Sequence, residues 1–71
     1  MIEYIPWANK FRISIGGMNK DFDPEQIDEA RMVLWNHFME SPQHNMTYGD
    51  AETAAANAAE SAYSDYEEYG R

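Results

Sequence analysis

Six consecutive residues, Phe22-Asp23-Pro24-Glu25-Gln26-Ile27, constrain this chain more than any other stretch. They spell out the start of a helix. Asp23 is a good N-cap, because a carboxylate there accepts from the partnerless N–H groups of a first turn. Pro24 suits the first helical position, where its missing N–H costs nothing. Gln26 at the third position completes an approximate capping box. Phe22 before the cap and Ile27 after it match a hydrophobic staple. The chain therefore divides at residue 23, and the side-chain periodicity changes there.

Upstream the pattern is that of strands. Phe11-Arg12-Ile13-Ser14-Ile15 alternates apolar and polar with period two, so Phe11, Ile13 and Ile15 share one face. Ile2–Ile5 is a short apolar run ended by Pro6, as expected of an edge strand. Gly16-Gly17 is a two-residue hairpin turn, since both positions tolerate positive φ. Met18–Phe22 is a candidate third strand, although hairpin register puts Lys20 on the apolar face and counts against it. The expectation is a two- or three-stranded antiparallel sheet with one apolar and one mildly basic face.

Downstream the period is helical. Ile27, Ala30, Leu34 and Phe38 fall on one face, with Met32, Trp35 and Met39 beside them, and Ser41-Pro42 ends the helix near Glu40. Ser41–Asn45 reads as a polar connector. A second helix begins near Thr47 or Asp50 and runs to about Glu68, with Gly70 as a stop. Ala51 to Ala62 is strongly helix-forming. Ala51, Ala55, Ala58, Ala62, Tyr66 and Tyr69 share a face whose small members allow close approach to a neighbour. The fold class is thus α+β: a small N-terminal antiparallel sheet followed by two antiparallel helices, in one domain over residues 1–71. The expected core is Phe11, Ile13, Ile15, Ile27, Leu34, Phe38, Ala55, Ala58 and Ala62, with the sheet covering Trp35, Met32 and Met39.

Composition narrows the function. Thirteen acids face five bases, a net charge of −8. Residues 1–22 carry +1, residues 23–40 carry −4 and residues 41–71 carry −5. Phosphates of nucleic acid and anionic lipid surfaces both repel such a chain, whereas a basic protein surface attracts it. The absence of cysteine removes disulfides, thiolate metal sites and a cysteine nucleophile, and fits a reducing, cytoplasmic setting. The N-terminal run lacks the basic flank of a signal peptide, and no apolar stretch reaches spanning length. Ten aromatics in 71 residues argue against full disorder.

Little here points to catalysis or a cofactor. His37 and His44 are seven residues apart across a proline and read as solvated side chains, short of the ligand set a metal needs. No nucleophile elbow or phosphate loop is present. Asp21-Phe22-Asp23 and Asp28 lack the spacing of a calcium loop. Adjacent carboxylates such as Asp28-Glu29 and Glu67-Glu68 diverge by about 100° on a helix and read as exposed. The expectation is a non-enzyme without cofactor or metal.

The acidic second helix is the remaining feature. Glu60 and Glu67 lie within about 20° of one another, two turns apart. Asp65 and Glu68 flank Tyr66 and Tyr69, and Tyr63 stands off the main apolar face as a surface residue. Carboxylates on successive turns stand several ångströms apart, about as neighbouring phosphates do, and tyrosines add stiff contact area. The candidate partner-binding set is Glu60, Tyr63, Asp65, Glu67 and Glu68. In size, lack of cysteine and this tyrosine-bearing acidic helix, the chain resembles small acidic inhibitors encoded by bacteriophages, anti-CRISPR proteins among them. That resemblance implies a stoichiometric blocker in the host cytoplasm, one that occupies the basic nucleic-acid groove of a CRISPR effector or another nucleic-acid-binding protein. The alternative is a small structural or adaptor protein that forms a homodimer through the Trp/Met arc or the alanine face.

Overall fold

The computed structural model describes residues 2–40 and 46–69. The expected stop at Ser41-Pro42, the connector 41–45, His44 and Gly70 lie outside them. Three strands, β1 (Ile2–Ile5), β2 (Lys10–Ile15) and β3 (Met18–Phe22), form an antiparallel sheet in the order β1-β2-β3. A single 3-10 turn, Pro24–Gln26, leads into α1 (Ile27–Glu40), and α2 (Tyr48–Tyr69) follows. The α+β architecture is the one the sequence implies, with the third strand formed.

Local chemistry accounts for the junctions among the described residues. Gly16 and Gly17 have φ of +56° and +81°, which closes the β2–β3 hairpin with two left-handed residues and fixes Ile15 opposite Met18. Between β1 and β2, the amide of Ala8 donates to the carbonyl of Ile5 (3.2 Å) and that of Asn9 to Pro6 (3.3 Å). Asn9 completes this loop at φ +51°, and the Tyr4 hydroxyl donates to its side-chain oxygen at 2.8 Å. At the helix start, the Asp23 amide donates to the Gln26 side chain (3.0 Å) and the Gln26 amide to the Asp23 carbonyl (2.9 Å). Thr47 caps α2, its hydroxyl accepting from the Asp50 amide at 3.2 Å. Of the two starts the sequence allows, the earlier one is used.

The helices cover one face of the sheet. Phe11 stands between Tyr4 and Phe22 across the strands, and Ile13 between Ile2 and Lys20. Phe11, Ile13 and Leu34 are fully buried, with Tyr4, Phe22, Ala30, Phe38, Ala51, Ala55 and Ala62 in the same cluster. Ile5 is buried apart from that cluster. Three expected core members sit at its margin. Ile15 at the hairpin end and Ile27 in the first helical turn are half-buried, and so is Ala58. Ala59 takes the buried place instead, because 58 and 59 straddle the stripe set by Ala51, Ala55 and Ala62. Lys20 is compatible with the apolar face because β3 is an edge strand. Its side chain stays exposed and its ammonium lies 5.4 Å from the centre of the Phe22 ring.

Two further expectations need correction. The outer sheet face is not mildly basic. Arg12 stands between Glu3 and Asp21 and grips Asp21 with two hydrogen bonds, of 2.8 and 3.2 Å, while Lys10 pairs with Asp23. Cross-strand register thus spends the bases on acids. His37 is not a solvated side chain either. It is half-buried under the β2–β3 turn, so close that a Cβ on Gly16 falls 2.9 Å from its ring.

The hydrogen bonds from Arg12 hold the Asp21 carboxyl below its ordinary range, against a smaller opposing effect of desolvation. The same contact raises Arg12, and Asp23 raises Lys10. A lowered carboxyl contributes stability above its unfolded pKa, about 3.9, and loses it as pH falls through the folded value. The raised bases keep theirs through neutral pH and lose it only in strong alkali. Denaturation midpoints for the parent and Asp21→Asn are therefore expected to differ slightly at neutral pH and to converge in acid.

Two substitutions probe the packing. Leu34→Ala is expected to cost about 2–5 kcal/mol, a large share of so small a domain's stability, read by denaturant unfolding. Gly16→Ala and Gly17→Ala both strain a left-handed residue, but only the first also meets His37. It is expected to lower the melting temperature further, and His37→Ala to narrow the gap between the two.

Candidate functional site

The surface is set by how α2 sits. Its 22 residues make a rod of about 33 Å, against a longest molecular dimension of 36 Å. The strands beneath are four to six residues long, so the last helical turn runs past them. Tyr69, placed on the packed face by periodicity, is consequently 65% exposed.

Aromatic contacts hold this rod at two places. Toward its C-terminus, Tyr66 meets Tyr4 and Phe11 edge-on, with ring centres 5.4 and 5.9 Å apart. Tyr63 stacks on Phe11 at 6.4 Å and lies 5.4 Å from Tyr66. This corrects the placement of Tyr63 as a surface contact. It is half-buried and its ring packs against the core while one edge still borders the surface depressions, because it points to the side of α2 that overhangs β2. Near the N-terminus, Tyr48 meets Trp35 of α1 edge-on at 5.3 Å.

The four carboxylates of the candidate set are all exposed. Glu60 and Glu67 look into a depression of about 420 Å³ along the α1–α2 seam, together with Asp28 and Arg31 from α1 and Ser64 between them. Glu60 also borders a second depression on the outer flank of α2, where Asp65 lies with Asn57, Ser61 and Ser64. The structure thus brings Glu60 and Glu67 together on the seam and turns Asp65 to the other side. Glu68 is on the outward arc in the same last turn. Including Asp50 and Glu52, α2 bears six acids and neither lysine nor arginine, all six exposed.

Asp28 is the member that sequence reasoning missed. The signal was the i, i+3, i+4, i+7 series Asp28, Arg31, Met32, Trp35, which runs alongside the core stripe. That series also overturns the expectation that the sheet covers the large apolar arc of α1. Met32 is 52% exposed, Met39 is exposed as well, and Trp35 packs on Tyr48. The core stripe of α1 faces the sheet, so a second stripe turned away from it meets only α2 and solvent. Trp7 is a second omission: it is 86% exposed on the hydrogen-bonded β1–β2 loop, where aromatic richness and a following Ala-Asn give no hint of display.

Chemically, this surface offers carboxylates, a few hydroxyls and apolar area. A further cleft, of about 560 Å³, lies between Ala8–Lys10, Asp23–Glu25 and the rings of Tyr63 and Tyr66, where Lys10 is already paired with Asp23. Among the described residues no group of three or more His, Asp or Glu is placed to hold a metal ion. No described helix is long and apolar enough to cross a membrane. No family model, no curated protein and no solved structure matches the chain.

Proposed function

We infer that this chain is a non-enzymatic binding protein, and that its acidic second helix docks on a basic surface of a nucleic-acid-binding protein. The observation that carries this reading is the charge of α2: six exposed acids, no base, and three of the acids within the last five residues. Helix stability favours the opposite. The C-terminal end of the helix dipole is negative, so each carboxylate there is unfavourable by about 0.3–1 kcal/mol. Asp65 and Glu68, three apart, add a like-charge repulsion of a few tenths of a kcal/mol. Departures from local preference of this kind are expected at functional sites. A rigid row of carboxylates offers a basic groove the charge pattern of a phosphate backbone. A CRISPR effector presents such a groove to its guide–target duplex, and a blocker of that class is the finer form of the proposal.

The exposed Met32 and Tyr48, with half-buried Trp35 between them, favour a second reading, an adaptor that forms a homodimer through this patch. Salt separates the two, since screening weakens an acidic docking surface and leaves apolar association intact.

The test is a charge-reversed protein with Glu60, Asp65, Glu67 and Glu68 changed to lysine, against a control with Glu25, Glu29 and Glu40 reversed. The four-lysine protein is expected to fold and to melt at or above the parent temperature, because lysines now complement the helix terminus. It is expected to lose a partner that the parent captures and that nucleic acid displaces, with binding falling as salt rises. Loss of that partner by the control alone places the site on the first helix. Normal binding by both folded variants leaves acidity without a role in recognition.

A further inference from the structure

The seam between α1 and α2 changes character along its length. At one end lies a depression of about 150 Å³ lined by Met32 and Trp35 of α1 and by Tyr48 and Ala55 of α2, with Arg31 and Glu52 at its rim. A space of that order admits one aromatic or branched aliphatic side chain. Arg31 also borders the neighbouring depression, where the charge is supplied by Asp28, Glu60 and Glu67. Four carboxylates and one guanidinium therefore frame a continuous path that is apolar at one end and acidic at the other. Met32 and Tyr48 are 52% and 61% exposed, and methionine beside aromatic rings makes an adaptable contact surface.

We propose that this seam is a docking groove for a basic amphipathic segment of a partner protein, with one large apolar side chain seated against Trp35 and Tyr48 and arginine or lysine side chains laid along Asp28, Glu60 and Glu67. The inference rests on the reading of the chain as an acidic binding protein and specifies the chemistry of what it binds. Charge selects the occupant. A second copy, itself at −8, brings the same acids to the same seam. Nucleic acid and anionic lipid are repelled by the four carboxylates. A segment that combines apolar and basic residues is attracted at one end and desolvates its anchor at the other. Trp35 and Asp28 are seven residues apart on α1, about 10 Å along the axis. A helical occupant thus carries its anchor and its bases at positions i and i+7, with i+3 or i+4 passing Arg31. This is the helix-in-groove mode of recognition.

The probe is a labelled synthetic helical peptide with one tryptophan or leucine anchor and arginines at i+7 and i+8. Two control peptides accompany it: a scramble of the same composition, and one with alanine at the anchor. Peptide anisotropy gives affinity. The two indole N–H resonances of the protein report position, because Trp35 lines the groove and Trp7 stands on the β1–β2 loop. Expected are a shift of the Trp35 resonance alone, and weakening by about tenfold or more for the scramble, the anchorless peptide and the Met32→Lys and Tyr48→Lys proteins. Both substituted positions are half-exposed or more, and circular dichroism checks their fold. If the three peptides bind alike, lose affinity only on reversal of Glu60, Asp65, Glu67 and Glu68, and leave Trp35 unmoved, the groove is overturned while the acidic docking surface stands. If none binds at millimolar concentration, both fall. A concentration-dependent dimer that shields Met32 and Tyr48 gives the groove to a second copy and also overturns the proposal.

Discussion

The ring of Phe11 is the contact on which the rest of the molecule depends. It lies at the centre of the sheet, between Tyr4 and Phe22, and receives the rings of Tyr63 and Tyr66 from the second helix. Edge-on and offset pairs of this kind add about 0.5–1.5 kcal/mol each beyond the area they bury. In a chain without disulfides, such a cluster must do what covalent staples do in other small domains. It joins the first sheet residues to the last helical turns, so the N- and C-terminal parts of the chain stabilise one another. Leu34 and Phe38 then close the layer from the other helix.

Much of this was legible in the sequence, for identifiable reasons. The cap at Asp23, the proline after it and the glycine pair at the hairpin are local signals that act within a few residues. The structure uses the proline and the glycine pair as read, and starts the helix at Asp23 through its amide and carbonyl, its carboxylate being taken by Lys10. The third strand was open because Lys20 faces the wrong way in register, and an edge position with a neighbouring ring resolves that conflict. Tyr63 was misplaced because periodicity gives a direction around the helix axis and not what overhangs it. The basic outer face failed for a similar reason, since composition cannot show that Arg12 falls opposite Asp21. The exposed Met32 and Met39 expose a mistaken premise, that a small domain buries every large apolar residue it has. One helix cannot present two stripes to the same sheet.

The candidate surface divides along the same lines. Its carboxylates were visible as an acid-rich helix without bases. Their split between the seam and the outer flank was not, because it depends on where α1 lies. Asp28 enters the surface only through that packing. Lys10 and Arg12 of the sheet are engaged with Asp23 and Asp21, and Arg31 is the base that borders the seam beside Asp28, Glu60 and Glu67.

Alanines on the packed face of α2 have a mechanical corollary. Ala51, Ala55, Ala59 and Ala62 are smooth, and a smooth stripe lacks the interlocking knobs that fix one helix lengthwise against another. Longitudinal register is set instead at two points, Tyr48 against Trp35 near one end and Tyr63 with Tyr66 against Phe11 near the other, fifteen residues or about 22 Å apart. Between these pins the buried alanine stripe holds the rod close to its neighbours, and the rings at the two ends fix its heading. Glu60, between the pins but nearer the second, and the acids beyond it inherit their heading from two tyrosines. A change at Tyr63 or Tyr66 thus re-aims the charged row without touching a single carboxylate.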